Sequence, residues 1–163
     1  MWNKISRIFI VNRVVKYFVF ADLILFSGWG LVSPVFSIFV IDQIVGATLV
    51  TVGVGAAVFW ITRSAIQLPI ANFLDSHDGE RDDFRILIFG LLLTAGSAFM
   101  FLFISLPMHL YAAQFLHGLG MGLYAASWPG IFSRHLDKKR IAFEWSLNSS
   151  TLGFAMGITA FLG

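Results

Sequence analysis

The sequence contains no cysteine and few charged residues. Without cysteine the chain forms no disulfide, no thiolate metal site and no cysteine nucleophile, and this absence says nothing about its compartment. Charged side chains make up 12% of the 163 residues, whereas a soluble domain is typically about a quarter charged. The chain therefore lacks the polar surface that a water-soluble fold of this size needs.

What the sequence has instead is long apolar runs. Hydrophobic residues make up 58% of the chain, and its mean hydropathy is +0.82. A bilayer requires a helix of about 20 apolar residues, and five stretches approach or exceed that length. We expect an all-α, polytopic transmembrane helix bundle with spans at about 17–41, 45–72, 86–106, 110–132 and 141–163. Because no polar flank follows the last span, we interpret residues 1–163 as a partial amino-terminal transmembrane domain.

The positions of the basic residues predict the orientation. Of the eleven Lys and Arg residues, ten fall in the lead-in 1–16, in the polar segment 71–85 or in the loop 133–140. The turns after spans one and three have none. The positive-inside rule places the amino terminus and both basic loops in the cytoplasm, and the predicted location is the cell (inner or plasma) membrane. The lead-in itself is interpreted as a short interfacial helix.

The polar segment 71–85, which we call the hinge, separates the first two apolar runs from the last three. It holds five of the nine acidic residues: Asp75, Asp78, Glu80, Asp82 and Asp83. A metal site is one interpretation of the last four acids. A solvated charged loop explains them better, because their spacing does not match a known cation cage, so no metal is expected.

Two short motifs carry a resemblance to a known family. Ala71-x-x-x-Asp75, followed by Gly79, Arg81 and Arg85, matches part of a loop signature between spans two and three. Gln114-x-x-x-Gly118-x-Gly120 matches a span-four signature that has Arg in place of Gln114. With the short connections and the Pro34-containing first span, the chain resembles the major facilitator superfamily of secondary transporters. The resemblance covers essentially the whole chain, as the first five of that family's helices.

This resemblance implies a function, a set of partners and one residue role. The chain would be a fragment of a secondary active transporter that moves a small solute by alternating access. Its partners would be the lipid bilayer, a missing carboxy-terminal half, an unknown small-molecule substrate and a coupling ion, with no cofactor and no nucleic acid. Asp75 would hold the two halves in one conformation, with Ser76 where the family has a base. Gln114 carries no charge, so the resemblance does not extend to proton-driven drug export through the family's arginine.

A polar stripe on span four is the main candidate for a substrate-cavity wall. At about 100° per residue, five side chains fall within an arc of roughly 80°: Gln114, His117, Met121, Tyr124 and Trp128. Such a stripe is expected to face protein or a water-filled cavity rather than lipid. Helix packing and a cavity wall with His117 near the midplane both remain open. Gly118 and Gly122 share an adjacent face, which is typical of closely approaching helices.

Span one carries a comparable stripe, and spans one and two each carry an internal charge. The span-one stripe consists of Asp22, Phe26, Trp29, Ser33 and Ser37, of which Trp29 and Ser33 are candidates for the cavity. Asp22 lies about 9 Å above Lys16, and Arg63 lies about 13 Å above Asn72, at a rise of 1.5 Å per residue. We expect Asp22 and Arg63 to pair at similar depth. The alternative is that each reaches the cytoplasmic interface separately.

Three classes of function remain for this membrane protein: a secondary transporter, an enzyme and a structural subunit. An enzyme is not expected, because the four histidines are scattered and neither His-Glu-x-x-His nor Gly-x-Ser-x-Gly occurs. A small structural or assembly subunit of a membrane complex is the alternative to the transporter. A transporter would expose the stripes of spans one and four to water, and a structural subunit would keep them buried.

Overall fold

The structure, a computed structural model, describes residues 11–77 and 79–163. It contains α1 (Arg13–Val32), α2 (Phe36–Gln43), α3 (Leu49–Asp75), α4 (Glu80–Met100), a short 3₁₀ helix (Phe101–Phe103), α5 (Pro107–Arg134) and α6 (Ile141–Leu162). These described residues include no strand. The all-α class is therefore confirmed. Most of the predicted interfacial helix, and Asp78 of the hinge, lie outside the described residues.

The first predicted span is interrupted. α1 ends at Val32, the segment 33–35 forms a turn, and α2 begins at Phe36. Pro34 explains the interruption, because proline has no backbone N–H to donate and restricts the residue before it. Ser33 ends α1, where its N–H donates to the Trp29 carbonyl at 2.9 Å. One apolar run therefore folds as a long helix followed by a short one.

A second proline acts in the opposite way. The sequence predicts a tight turn at 107–109, but Pro107 is the first residue of α5, so this prediction is wrong. Proline is favoured at the first helical position, because its fixed φ suits the helix and its missing N–H has no intrahelical partner there. The non-helical connection lies one turn earlier, at 104–106.

Several helices satisfy the physical requirements of a bilayer. Within the described residues, three helical segments are long and apolar enough to cross it: Arg13–Val32, Leu49–Asp75 and Glu80–Phe103. Hydroxyl groups inside the helices bond to their own backbone, as the Thr94 and Ser97 hydroxyls do by donating to the carbonyls of Gly90 (3.0 Å) and Thr94 (2.7 Å). Lipid offers no partner for such groups, so these bonds make polar side chains tolerable there. Membrane crossing by α5 and α6 stays a prediction.

The chain divides into two compact units, of which the first comprises the described residues 11–36 and 132–163. In this unit α1 packs along α6, and the two helices run in the same direction. Gly30 lies against the backbone of Met156, whose Cα would be 3.1 Å from an added Cβ. At the other end of α6, the Trp145 ring meets the ring of Phe132, in the last turn of α5, edge to face at 5.0 Å. A glycine thus allows the close approach of α1 and α6, and aromatic rings connect the end of α5 to the start of α6.

The second unit, residues 37–131, packs α3 and α4 against α5. An added Cβ at Gly118 would lie 2.7 Å from the Phe59 carbonyl oxygen, and one at Gly122 would lie 3.0 Å from that of Arg63. The predicted close approach at these two glycines is confirmed. On the other side of α5, Gly90 of α4 and Gly120 meet backbone to backbone. α5 is therefore the central element of this unit.

Candidate functional site

The polar stripe of α5 is covered by protein along its whole length. Gln114, His117, Met121, Tyr124 and Trp128 are each 8% exposed or less. These side chains are buried for two reasons. The five residues share one face of α5, and α3 and α4 pack against this helix. In the conformation described, these side chains do not face lipid. A cavity-wall role would require that another conformation uncovers them, so that role stays a prediction.

Contacts with α3 hold the outer part of the stripe in place. The His117 ring lies 4.5 Å from the Phe59 ring, measured between centroids and tilted by 38°. The Gln114 side chain lies beside Gly55, where an added Cβ would be 3.7 Å from its Cγ. Phe59 is not among the residues predicted from the sequence. No signal in the sequence points to it, because its role depends on which face of α3 packs against α5.

Arg63 of α3 lies within the same unit. Its guanidinium carbon is 5.1 Å from the centre of the Trp60 ring, which is a cation–π distance. The Trp60 ring in turn meets Phe59 edge to face at 5.1 Å. A continuous line of ring and guanidinium contacts therefore runs from Arg63 through Trp60 and Phe59 to His117. Helical periodicity places Trp60, Arg63 and Gln67 on one face of α3, but no local pattern in the sequence indicates this line of contacts.

The span-one candidates lie near the far end of α1. Trp29 is half-buried in the last turn of α1, and Ser33 is exposed in the turn that follows. Asp22, nine residues after the first residue of α1, is only 3% exposed. Asp22 and Arg63 belong to different units of the structure, and their pairing stays a prediction.

The four loop-motif residues do not form one network among the described residues. Asp75 is the last residue of α3 and is exposed, while Arg85 pairs with Asp82 at 3.1 Å instead. Gly79 precedes α4 with φ +132°, a conformation that strongly favours glycine. Arg81 is exposed and lines a shallow groove with Glu80, Phe84, Arg85 and Ile131. The conformational role of this motif stays a prediction.

Asp83 departs from the solvated-loop interpretation of the hinge acids. It is 2% exposed, in the first turn of α4, and its carboxylate lies beside Gly130 of α5. The buried face of α4 runs through Asp83, Leu87, Gly90, Thr94 and Ser97. That spacing of three and four residues is visible in the sequence and would have identified Asp83 as part of the packed face. A carboxylate in the first helical turn also interacts favourably with the helix dipole.

The protein has apolar helices of membrane-spanning length, and the polar stripe of α5, which we call the seam, is covered by protein. These two features define a multi-pass helical membrane protein. The family model of the Major Facilitator Superfamily matches residues 18–163, so the chain belongs to that superfamily of membrane transporters. No curated protein and no solved structure matches the chain. Membership of a transporter family does not favour the structural-subunit alternative, and it agrees with the expectation of a non-enzyme.

Proposed function

We propose that the chain is the amino-terminal part of a secondary active transporter, located in the cell membrane with its amino terminus in the cytoplasm. It moves a small solute by alternating access together with a carboxy-terminal half and a coupling ion. Its substrate cavity is lined by Gln114, His117, Tyr124 and Trp128 of α5, and by Trp29 and Ser33 at the end of α1.

The observation that carries this proposal is the polar seam of α5 inside a member of a transporter family. Gln and His are costly in hydrocarbon, so a membrane helix keeps them where packing or function requires them. Packing alone is served by the glycines of α5, which already allow α3 and α4 to approach closely. The amide, imidazole, phenol and indole groups on the seam add hydrogen-bonding capacity, which a solute site needs.

Cysteine accessibility tests the proposal on a background that has no native cysteine. Single cysteines at Gln114, His117 and Tyr124 are expected to react with a water-soluble maleimide in native membranes, because alternating access brings water to the cavity wall. The matched control is Phe115→Cys, on the same helix but 50% exposed in the absence of lipid. Lipid should cover that position and keep it unreactive.

The pattern of reactivity decides between the two interpretations of the seam. Reaction at the seam without reaction at position 115 supports a water-accessible cavity wall. If the seam cysteines stay unreactive from both sides of the membrane while an exposed cysteine at Met108, in the first turn of α5, reacts, the seam serves packing alone and the transporter proposal fails.

A further inference from the structure

Arg63 occupies an unusual depth for a cation. α3 runs from Leu49 to Asp75, so Arg63 is 14 residues from one end and 12 from the other (63 − 49 and 75 − 63). At 1.5 Å per residue these intervals are about 21 Å and 18 Å, and the hydrocarbon core is about 30 Å thick. If α3 spans the core symmetrically, Arg63 lies close to the bilayer centre.

The direction of the Arg63 side chain keeps its guanidinium from the nearer membrane interface, which is at the hinge end of α3. Helical side chains lean toward the helix amino terminus, and the Arg63 guanidinium lies over the ring of Trp60, one turn nearer Leu49. It therefore points away from the hinge. In the conformation described, Arg63 does not reach the cytoplasmic end of its helix.

Among the described residues of its own unit, no carboxylate forms an ion pair with Arg63. Within the described residues 37–77 and 79–131, the ion pair is the one between Arg85 and Asp82. The acids in this part are Asp42, Asp75, Glu80, Asp82 and Asp83, at helix ends or in the hinge. A charge held deep in a membrane protein normally faces the interior or a water-filled cavity and marks a functional pathway.

The neighbours of Arg63 are suited to a ligand. Gln67 follows one turn later on the same face and is half-buried. Trp60, one turn earlier, is 56% exposed. A guanidinium binds a carboxylate through two parallel hydrogen bonds, the Gln67 amide can donate another, and an indole face accommodates a flat apolar group. The three side chains thus offer binding groups for an anionic head and an apolar body.

We propose that Trp60, Arg63 and Gln67 form a binding site for a small organic anion, in which Arg63 holds the carboxylate. This inference rests on the proposed transport function, since it names the chemical class of the solute. The site lies on α3, which contributes none of the cavity residues proposed above. Phe59 contacts both Trp60 of this site and His117 of the α5 seam.

Binding of benzoate to the purified chain in lipid nanodiscs tests the site by titration calorimetry. Benzamide, which has the same shape and no charge, is the ligand control, and empty nanodiscs give the blank for partition into lipid. We expect saturable binding of benzoate and none of benzamide. Arg63→Gln should weaken benzoate binding by at least about tenfold, because charge-assisted bidentate hydrogen bonds are the strong ones. Arg63→Lys should fall between, because it keeps the charge and loses the fork.

Two further variants keep the test sharp if Arg63→Gln folds poorly. Gln67→Leu removes a donor without touching a charge and should weaken benzoate binding severalfold. Arg13→Gln is the matched control, since Arg13 is an exposed arginine at the start of α1 that bonds to the Tyr17 hydroxyl, and it should bind benzoate as the unchanged chain does. Thermal unfolding followed by circular dichroism identifies the variants that are folded.

The anion site is overturned if benzoate and benzamide bind equally, or if folded Arg63 and Gln67 variants bind benzoate as well as the unchanged chain. This result is separable from the fate of the transport proposal. A water-accessible α5 seam without benzoate binding removes the anion site and leaves transport standing. Benzoate binding that depends on Arg63, with an inaccessible seam, supports a binding site for the anion and removes the transport proposal.

Discussion

Asp22 and Arg63 are the charged residues that lie farthest from the ends of their helices. Asp22 is covered by protein and Arg63 is half-exposed. Insertion measurements assign a charged residue at the centre of a membrane helix a cost of about 2.5–3.5 kcal/mol. A pair would reduce this cost for both residues. The Arg63 side chain points away from the hinge, which argues against the alternative in which each charge reaches the cytoplasmic interface separately.

A double-mutant cycle tests the predicted pair. Asp22→Asn and Arg63→Gln should each lower the thermal stability of the purified chain, because each leaves a charge without its partner. The double variant should lose less than the sum, with a coupling of about 0.5–3 kcal/mol. Benzoate binding should also strengthen in Asp22→Asn, since the ligand would no longer compete with a carboxylate for Arg63.

The control for this cycle pairs Asp22→Asn with Arg13→Gln. Arg13 is exposed and bonds to Tyr17, so the losses in that double variant should simply add. If the Asp22 and Arg63 losses also add, the two residues do not interact.

At the scale of the helix, the crossing of α4 and α5 depends on two glycines. An added Cβ at Gly90 would lie 2.7 Å from the Gly120 carbonyl oxygen and 3.0 Å from the Tyr124 nitrogen. Backbone atoms of a packed helix cannot move aside as the end of a flexible side chain can. The contact is therefore sensitive to a single methyl group.

Gly90→Ala should destabilise the chain by about 1–3 kcal/mol, the usual cost of overpacking. Gly96→Ala on the same helix is the control, because its nearest neighbour would be the Leu116 side chain at 3.9 Å. That variant should keep or raise the stability, since alanine favours a helix over glycine by about 1 kcal/mol. The measurement is the midpoint of thermal unfolding in detergent, and equal losses in the two variants would argue against the close crossing.

The helices themselves could be predicted because lipid demands long apolar segments, and composition alone reveals these. The helix ends were harder, because Pro34 interrupts a helix and Pro107 begins one. The same residue type has opposite effects according to whether the helix has already started. Sequence periodicity shows neither where α1 ends nor where α5 begins, so the predicted boundaries differ from the observed ones near both prolines.

The candidate site was predictable only within single helices. The common face of Gln114, His117 and Trp128 follows from helical periodicity, and the structure buries all three. The contact of His117 with Phe59 requires two helices to meet at one level, which no local pattern specifies. Asp83 was grouped with solvated acids because its neighbours are charged, although its spacing from Leu87 and Gly90 places it on the packed face.

At the scale of the whole molecule, successive connections of the second unit lie at opposite ends of its helices, as a membrane-crossing bundle requires. The Val45 N–H donates to the Ser105 carbonyl at 3.2 Å, so the turn after α2 and the connection before α5 meet at one end. At the opposite end, Asp83 of the hinge side lies beside Gly130 of α5. The hinge bases Arg81 and Arg85 are at this second end, and the end with Val45 and Ser105 has none.

This arrangement predicts an orientation that labelling can test in cells. Met108→Cys, 71% exposed at the end with Ser105, should react with a membrane-impermeant maleimide in intact cells. His77→Cys, exposed in the hinge, should react only after permeabilisation, because basic loops are retained in the cytoplasm. Neither substitution removes an arginine or lysine, so the charge bias that sets the orientation is unchanged. Labelling of both cysteines in intact cells, or of neither, would place the two ends in one compartment, and the alternating spans of the second unit could then not cross the bilayer as their contacts indicate.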